Sequence, residues 1–377
     1  MKGVLHIMKL IFTKSSLNKA VGIVMKAVPT RTTMSILECI LIDASTNEIK
    51  FTANDMELGI ETIVEGEIIE KGKVAIDAKI FSEIVRKLPD NDITIETDDN
   101  YTSTITCEKS KFNIAGKSGD DFSYLPVIIK EKSISLSQFT LKETINQTIF
   151  CTSPNDNNKM MTGELFEVKD DQLSVVSLDG HRISIRHIEL KDHYDPFKVV
   201  VPGKTLQEIV KIISGEMDEN VSIYVTSKHI LFEFDNTRVV SRLLEGEYYK
   251  ISQMLSSDYE TKITINKKEF LNCIDRASLL IRESDKKPII IDIADHSLKL
   301  NINSFFGSME EEILIQKEGR DLLIGFNPKF FIDALRVIDE EEVTLYMVNP
   351  KAPCFIKDKE ESYIYLILPV NFNAATN

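Results

Sequence analysis

The stretch KLIFTKSSLNKAVGIVMKAV, Lys9 to Val28, decides the interpretation of the chain because its pattern occurs three times. A short apolar run, a polar turn and an amphipathic segment follow one another in that order. The second copy is Ser133 to Thr152, and the third is Lys262 to Ile281. The copies begin 124 and 129 residues apart, spacings that are too long for a solenoid. The pattern therefore predicts three similar domains in tandem.

The second half of each copy has the periodicity of an amphipathic helix, with apolar residues at steps of four, three and four. The middle copy keeps Leu141 and Ile145 but has Thr148 and Thr152 at the next two positions of the same frame. We therefore expect its apolar face to be the weakest of the three. The apolar faces of the other two copies are Leu17, Val21, Val24 and Val28 in the first and Phe270, Ile274, Ala277 and Ile281 in the third.

A second strand-turn-helix unit also recurs three times, at Val74 to Leu88, Val199 to Ile213 and Leu323 to Val337. The frame that aligns these copies places Leu206 and Phe330 at helix positions equivalent to Phe81, with offsets of 125 residues from the first copy to the second and 124 from the second to the third. Two independent units that repeat at one period support the tandem arrangement. They predict domains over residues 1–132, with 1–7 as an N-terminal extension, over 133–259 and over 260–377.

Alternating apolar and polar runs lie between the two helices of every domain, as at Leu173 to Val176 and Leu298 to Ile302. Such runs, bounded by Asn, Asp, Gly or Lys, are typical of half-buried antiparallel strands. The sequence therefore predicts an α+β fold of three similar domains, each with two helices packed on antiparallel sheets.

Composition restricts the class of protein. The 377 residues are 43% hydrophobic and 28% charged, which is typical of globular domains. Apolar runs are too short to cross a membrane, and the five cysteines contain no CxxC pair. We therefore expect a cytoplasmic protein with buried free thiols, no membrane contact, no metal and no cofactor.

Catalytic motifs are absent from the sequence: there is no Gly-rich phosphate loop, no HExxH and no GxSxG. His181, next to Asp179 in DGHR, is the one group that resembles a proton relay. A hydrolase centred on His181 stays open as an alternative, although no nucleophile is recognisable near it. A structural turn or a binding surface is the other interpretation.

Charge is segregated along the chain. The six predicted helices carry a net charge of +8, so that the rest of the chain, given a total of −14, carries −22. If the helices share one surface, their cations attract phosphates without reading bases, while the acidic remainder repels DNA. The helical cations are Lys14, Lys19, Lys26, Lys79, Arg86, Lys87, Lys142, Lys204, Lys211, Lys267, Lys268, Arg276, Lys329 and Arg336.

Five motifs in order on this repeat resemble the bacterial β sliding clamp, the processivity subunit of replicative DNA polymerase. The resemblance covers Met8 to Phe372 and adds Arg31 as a DNA-facing position. It implies a non-catalytic, head-to-tail homodimeric ring that encircles duplex DNA without sequence preference. The motifs are LDGHRI at Leu178–Ile183, SRLLEG at Ser241–Gly246, DRASLL at Asp275–Leu280, GFN at Gly325–Asn327 and LILPV at Leu366–Val370.

The resemblance also implies two protein contacts. A dimer interface would join an edge strand of the first domain to the third domain through Lys109, Lys111, Phe112, Ile114, Leu279, Leu280, Glu310, Glu311 and Glu312. A pocket for short linear peptides rich in Gln, Leu and Phe would comprise Met161, Leu178, Gly180, His181, Arg182, Ile183, Met254, Asn327, Phe330, Leu366, Ile367, Leu368, Pro369 and Val370.

Peptides of this kind would come from the polymerase III catalytic subunit, the clamp loader and repair polymerases. Tyr249 and Lys250 depart from the Pro-Asp that is common in the family at this place, which changes the pocket rim. The tail beyond Phe372 could partly cover the groove. A clamp paralogue that serves mainly as a docking platform stays open as a second alternative.

Overall fold

The computed structural model describes residues 6–154, 157–256, 258–282 and 287–372, with the side chains of His6 and Ile7 excepted. The N-terminal extension at 1–5 and the tail after Phe372 lie outside the described residues. The chain forms two compact units. One comprises the chain up to Leu141 together with Glu208–Leu243, and the other comprises Lys142–Gln207 together with the chain from Leu244 onward.

The helices begin where the sequence supplies a side chain that can accept from a free backbone N–H. Thr13, Asp77, Asn266 and Asn327 do this for four of the six helices of the described residues. The helices are α1 (Lys14–Val24), α2 (Ala78–Lys87), α3 (Gln138–Asn146), α4 (Gly203–Ile212), α5 (Lys267–Ser278) and α6 (Pro328–Val337).

The strands are short and mostly alternate between buried and more exposed positions, as strands with one covered face do. The first third of the chain contains β1 (His6–Thr13), β2 (Cys39–Asp43), β3 (Ile49–Asn54), β4 (Leu58–Val64), β5 (Glu67–Glu70), β6 (Lys73–Asp77), β7 (Asp92–Asp98), β8 (Thr102–Cys107) and β9 (Ser110–Ser118). The middle third contains β10 (Lys132–Ser137), β11 (Gly163–Lys169), β12 (Gln172–Leu178), β13 (Arg182–Glu189), β14 (Phe197–Pro202), β15 (Asn220–Val225), β16 (His229–Phe234) and β17 (Thr237–Arg242). The last third contains β18 (Thr261–Asn266), β19 (Ile289–Ala294), β20 (Ser297–Ser304), β21 (Gly307–Leu314), β22 (Gln316–Gly319), β23 (Leu322–Phe326), β24 (Glu342–Met347), β25 (Cys354–Lys357) and β26 (Tyr363–Ile367).

Three antiparallel sheets connect these strands. In the first unit a 13-stranded sheet runs β10-β15-β16-β17-β4-β3-β2-β6-β9-β8-β7-β1-β5. In the second unit a nine-stranded sheet runs β14-β11-β12-β13-β26-β25-β24-β18-β22, beside a four-stranded sheet in the order β21-β20-β19-β23. The pairing of β17 with β4 and of β13 with β26 continues a sheet across each predicted domain boundary. The α+β prediction is confirmed, whereas the boundaries at 132 and 259 stay predictions.

The helix faces agree with the predicted periodicity in the first repeat unit. Leu17, Val21 and Val24 of α1 are buried where the helix packs on β3 and β4, and Val28 lies beyond the end of the helix. In α5, Phe270, Ile274 and Ala277 are buried in the same way. These contacts confirm that apolar spacing identifies the buried face of α1 and α5.

The frame of the second repeat unit was wrong by one residue in its third copy. Phe331 and Leu335 are fully buried in α6, whereas Phe330 is only partly buried. The helix caps explain this shift, because Asp77 and Asn327 occupy equivalent cap positions 250 residues apart. Phe331 is therefore the equivalent of Phe81, and Phe330 is left at the edge of the core.

The remaining composition-based expectations concern the cysteines and the helices. All five cysteines are free and buried, as predicted, and burial raises the pKa of each thiol. Across the ranges that the structure describes, no helix is both long enough and apolar enough to cross a membrane.

Candidate functional site

An apolar cluster with a buried floor and a partly exposed rim covers one face of β11, β12, β13 and β26. Leu178, Ile183 and Leu366, three of the predicted pocket residues, lie in its floor. Met161 packs against them from the rim and is half-buried. Side chains of alternate residues on neighbouring strands point to the same face, which is why these three leucine and isoleucine residues meet. We refer to this cluster and its rim as the cleft.

The cleft also contains residues that the sequence analysis did not place in the pocket. Tyr248 and Ile251 are buried in the cluster, and Tyr249 packs on it from outside. The Tyr248 hydroxyl donates to the carbonyl of Val176 at 3.2 Å, and burial raises the pKa of this phenol. Tyr249, noted above only as a departure from Pro-Asp, receives a hydrogen bond from the amide of Asn158. The adjacent tyrosines 248 and 249 are the feature of the sequence that could have predicted these aromatic residues of the cleft.

At the turn that joins β12 to β13, between Leu178 and Ile183 of the cleft floor, two side chains stack on an aromatic ring. The His181 imidazole lies nearly parallel to the Phe330 ring, with centroids 6.2 Å apart. The guanidinium carbon of Arg182 lies 4.6 Å from the centroid of the same ring, within the range of a cation–π contact. Phe330 therefore joins the end of β12 and the start of β13 to α6.

Arg182 is a buried cation with a full set of partners. Its Nε donates to Asp179 at 3.0 Å, one terminal nitrogen donates to Asp333 at 2.7 Å, and the other donates to the carbonyl of Phe150 at 2.6 Å. Only 7% of its side chain is exposed. Two carboxylates and a carbonyl compensate the loss of hydration, which makes Arg182 an anchor of the β12–β13 turn more than a free ligand for a partner. Because Arg182 pairs with Ile367 across the sheet, its side chain lies on the face opposite to the cleft floor, and the prediction that it lines the pocket is corrected.

The terminal strand contributes alternate residues to the cleft and to the core. Leu366 faces the cleft, whereas Ile367 is 1% exposed and belongs to the core cluster of the last domain. The prediction that Ile367 lines the pocket is therefore wrong, because consecutive strand residues point to opposite faces. Beyond the strand, Leu368 is partly exposed and its N–H donates to the His181 carbonyl at 2.9 Å.

The other predicted pocket residues have different positions. Gly180 has φ +89°, a conformation that favours glycine, and a side chain there would approach the Met161 methyl group. Asn327 uses its side chain to cap α6, by accepting from the N–H of Lys329. Met254 is exposed, Pro369 is half-buried, and the N–H of Val370 donates to Gly325. Gly180 therefore lies beside the rim at Met161, whereas a place in the pocket for Asn327, Met254, Pro369 and Val370 stays a prediction.

The predicted DNA-facing cations divide by their contacts. Lys14 donates to the carbonyl of Leu88, and Lys267 donates to that of Ile338, so each cation satisfies the last carbonyls of the neighbouring helix. For these two lysines the prediction of a free, phosphate-facing ammonium is corrected. Lys14 and Lys267 occupy equivalent positions in the first and third copies of the repeat, and they make equivalent contacts.

Four more cations form ion pairs within the chain. Arg86 pairs with Glu83 and Lys211 with Glu208, one helical turn apart. Arg276 pairs with Glu311, and Arg336 lies 3.5 Å from Asp275. All four cations remain more than half exposed, and such surface pairs contribute little stability. Among the described residues, the exposed cations that form no ion pair with another side chain include Lys19, Arg31, Lys79, Lys87, Lys268 and Lys329, while Lys26 is half-buried and Lys204 is exposed.

Two strand edges carry the predicted dimer residues. Lys111–Ala115 of β9 pairs with β8 on one side only among the described residues, because β6 pairs with 116–118. Phe112 is 40% exposed there, Ile114 is half-buried, and Lys109 and Lys111 are exposed. This edge therefore combines a free ladder of backbone groups with positive charge.

The second edge is β21, the end strand of the four-stranded sheet. Glu310 and Glu312 are exposed on it, whereas Glu311 is engaged by Arg276. Leu279 is 81% exposed at the end of α5, but Leu280 packs partly against the core of the last domain. Glu311 and Leu280 are thus less available to a partner than predicted.

The hydrolase alternative finds no support in this geometry. Asp179 accepts from the backbone N–H groups of His181 and Arg182 and from the Arg182 guanidinium, instead of orienting the imidazole. Within the described ranges no group of three or more His, Cys, Asp or Glu residues could hold a metal ion. The His181 ring is engaged by Phe330.

Family models match nearly the whole chain. Those of the DNA polymerase III beta subunit match residues 8–126 with the N-terminal domain, 135–250 with the central domain and 252–371 with the C-terminal domain. The beta sliding clamps of Staphylococcus epidermidis and Staphylococcus aureus are each 36% identical over 357 residues, which is 92% of this chain and 94% of theirs.

Solved structures agree with these matches. The DNA polymerase III beta subunit of Eubacterium rectale is 72% identical, with a TM-score of 0.94 over 97% of this chain and 100% of that chain. The DNA polymerase sliding clamp of Bacillus subtilis is 34% identical, with a TM-score of 0.94 over 98% of this chain and 100% of that chain.

Proposed function

The chain belongs to the DNA polymerase III beta subunit family, the sliding clamps, and we propose that it closes a homodimeric ring around duplex DNA and docks partner proteins in the cleft. The family is a non-catalytic processivity factor, and no observation favours the paralogue or the hydrolase. The partners are the polymerase III catalytic subunit, the clamp loader and repair polymerases, in the cytoplasm. The observation that carries this proposal is the pair of complementary strand edges on one chain.

The edge of β9 offers Lys109 and Lys111, and the edge of β21 offers Glu310 and Glu312. Opposite charges on two different edges favour a heterologous, head-to-tail contact over pairing of identical edges. A ring that closes after two copies leaves neither edge exposed to further association. Retention on DNA then depends on topology, so that phosphate contacts from the exposed helix cations can remain weak.

The cleft supports the docking of short peptides. Its floor is apolar, its rim contains Met161 and Tyr249, and the exposed polar side chain of His181 lies at the turn between Leu178 and Ile183 of the floor. Apolar pockets with a few fixed polar groups bind linear motifs by their Leu and Phe side chains. Methionine at the rim accommodates different partners because its side chain is unbranched and flexible.

Sedimentation tests the ring directly. Leu279→Asp is expected to convert the dimer into monomers, because it places a charge on an exposed leucine of the proposed contact while leaving the core unchanged. Leu323→Asp is a matched control on an exposed leucine of β23, the opposite edge strand of the same sheet. A Leu279→Asp variant that sediments as wild type would contradict this interface.

A further inference from the structure

A row of four buried polar side chains lies on the face of β11, β12, β13 and β26 opposite to the cleft. Leu165 pairs with Val176, which places Glu164 beside Ser177. Ser177 in turn pairs with Ser184, and Ser184 pairs with Tyr365. None of the four is more than 2% exposed. Buried polar groups of this kind need hydrogen-bond partners, and these partners come from the chain just after α3.

Hydroxyl groups of the polar row donate hydrogen bonds to the backbone carbonyls just after α3. Ser184 Oγ donates to the Gln147 carbonyl at 2.7 Å, and the Tyr365 hydroxyl donates to the same oxygen at 2.9 Å. Ser177 Oγ donates to the Thr148 carbonyl at 2.6 Å. The last carbonyls of a helix lack partners within the helix, so these three hydroxyls replace solvent as donors.

Glu164 is the member of the row whose charge matters. Its Oε2 lies 3.2 Å from the Thr148 hydroxyl oxygen, while its Oε1 has no hydrogen-bond partner among the described residues. The side chain is fully buried. An ionised carboxylate in such a place would need a cation or several donors, and Thr148 is its one hydrogen-bonding neighbour here.

The hydrogen bonds of the Thr148 hydroxyl indicate the protonation state of Glu164. The Thr148 hydroxyl has one hydrogen, and its oxygen lies 2.8 Å from the Thr144 carbonyl, a group that can only accept. When that hydrogen is directed to Thr144, the contact with Glu164 requires a hydrogen on the carboxyl. Burial raises the pKa of Glu164 well above its ordinary value, against a smaller lowering by the Thr148 hydroxyl.

The other titratable groups are Tyr365, which belongs to the row, and Tyr248 and Cys151, which lie around it. Burial raises the pKa of all three, so they stay neutral beyond the range in which a carboxyl titrates. The fixed charges of Arg182, Asp179 and Asp333 act on Cys151. The pKa of Glu164 depends instead on its burial and on the Thr148 hydroxyl.

Thr148 connects this carboxyl to the cleft. It is the cap of the 3-10 turn Ile149–Cys151, whose Phe150 carbonyl accepts from Arg182. The Phe150 ring also lies 5.4 Å from the Arg182 guanidinium carbon. Displacement of Thr148 would therefore displace the support of Arg182 and, through its bond to Asp179, the turn between Leu178 and Ile183 of the cleft floor.

We propose that Glu164 is a positioning residue for the cleft: as a neutral carboxylic acid it donates a hydrogen bond to Thr148 and so holds the turn on which Arg182 rests. The inference rests on the peptide-docking function proposed above. Ionisation of Glu164 removes the donor, so that the single Thr148 hydrogen must leave the Thr144 carbonyl for the carboxylate or two oxygen lone pairs face each other, and either change loosens the turn. The cleft then loses affinity for its peptide.

The protonation state is tested with Glu164→Gln, whose amide nitrogen can donate to Thr148 as the acid does. Denaturant unfolding of the full chain is measured for both proteins between pH 5 and 9.5. An unfolded glutamate ionises above about pH 4.3, so the unfolding constant of wild type relative to the variant should rise up to tenfold per pH unit, until Glu164 ionises in the folded state.

Glu167→Gln on the same strand is the matched control, because Glu167 is half-buried and lies 3.3 Å from Lys198. Its ratio to wild type should change little with pH. A ratio for Glu164→Gln that is independent of pH would show an ionised Glu164 and overturn the proposal. This measurement needs no peptide, so it remains decisive even if the docking function is wrong.

The positioning role is tested with a labelled peptide rich in Gln, Leu and Phe. Thr148→Val, which removes the hydroxyl, should weaken binding severalfold at pH 7, whereas Thr148→Ser, which retains it, should bind within twofold of wild type. Glu164→Gln should match wild type at pH 6 and hold its affinity at higher pH, where wild type weakens. A Thr148→Val variant that is folded and binds as wild type would overturn the positioning role, whereas a wild type that binds no peptide would instead overturn the docking function.

Discussion

The two faces of β11, β12, β13 and β26 have opposite chemistry. One face presents Leu178, Ile183 and Leu366 to a partly open cleft, and the other presents the polar row, led by Glu164, to the end of α3. Both sets are buried, but apolar side chains need only to be covered, whereas each polar one needs a partner. The cleft face can therefore exchange ligands, because the hydrogen bonds of the opposite face hold the four strands in place.

The largest expected effect comes from the residue that connects the two faces. Arg182→Ala leaves the partly buried carboxylates of Asp179 and Asp333 without their cation and the Phe150 carbonyl without its donor, and we expect the free energy of unfolding to fall by about 3 kcal/mol. Arg186→Ala on the same strand, where the side chain is half-buried and donates to Ser362, should cost about 1 kcal/mol. Equal losses in denaturant unfolding would mean that Arg182 is not the anchor.

Adjacent residues of β12 provide the sharpest contrast between the faces. Leu178→Ala removes buried cleft floor and should cost about 2–5 kcal/mol, with a loss of peptide affinity of about tenfold or more. Ser177→Ala should cost about 1 kcal/mol, because the Thr148 carbonyl still accepts from the N–H of Cys151 at 3.0 Å. Calorimetric titration with the labelled peptide should show the larger loss for Leu178→Ala, and the reverse order would break the comparison.

A smaller effect is expected at the far end of the polar row. Tyr365→Phe removes one of two hydroxyl donors to the Gln147 carbonyl and leaves that of Ser184. We expect the free energy of unfolding to fall by about 1 kcal/mol, with the ring packing retained. Tyr363→Phe on the same strand is the control. A loss above about 3 kcal/mol would indicate that the hydroxyls act as one cooperative unit.

The smallest effect concerns pH at the edge of the cleft face. Burial lowers the pKa of His187, whose Nδ1 lies 2.9 Å from Ser174 Oγ. A folded-state pKa below that of the unfolded chain means that stability is complete above about pH 6.5 and is lost as the pH falls through the folded-state value. Relative to His187→Gln, wild type should therefore lose stability below pH 6.5 in denaturant titrations. A constant difference would contradict the burial of this ring.

Local periodicity was sufficient to predict much of the fold. The spacing of Leu17, Val21 and Val24 identifies the buried face of α1 because burial on a helix depends on the angle between nearby residues. The same reasoning placed Phe330 instead of Phe331 in the core of α6. Adjacent phenylalanines satisfy neighbouring frames equally well, and only the cap at Asn327 fixes which frame the helix adopts.

The site was predicted less completely than the fold. Resemblance indicated Leu178, which lies in the cleft floor, and His181, Arg182 and Phe330, which stack on one another at the adjacent turn. It also indicated Ile367, which alternation along β26 turns into the core. Tyr248 was missed, because its place in the cleft depends on how the chain after β17 folds back on the sheet.

At Thr148 of the middle repeat, the information in the sequence can be separated from the information that tertiary structure adds. By itself the sequence determined that the unit recurs and that Thr148 stands where the other copies have an apolar residue, since both are properties of spacing along the chain. It indicated a weaker helix face. Tertiary structure decided that this threonine is fully buried, faces Glu164 and follows a carbonyl held by Tyr365. A buried polar group is stabilised by its partner, and Tyr365 lies 218 residues from Gln147, beyond the reach of any local pattern.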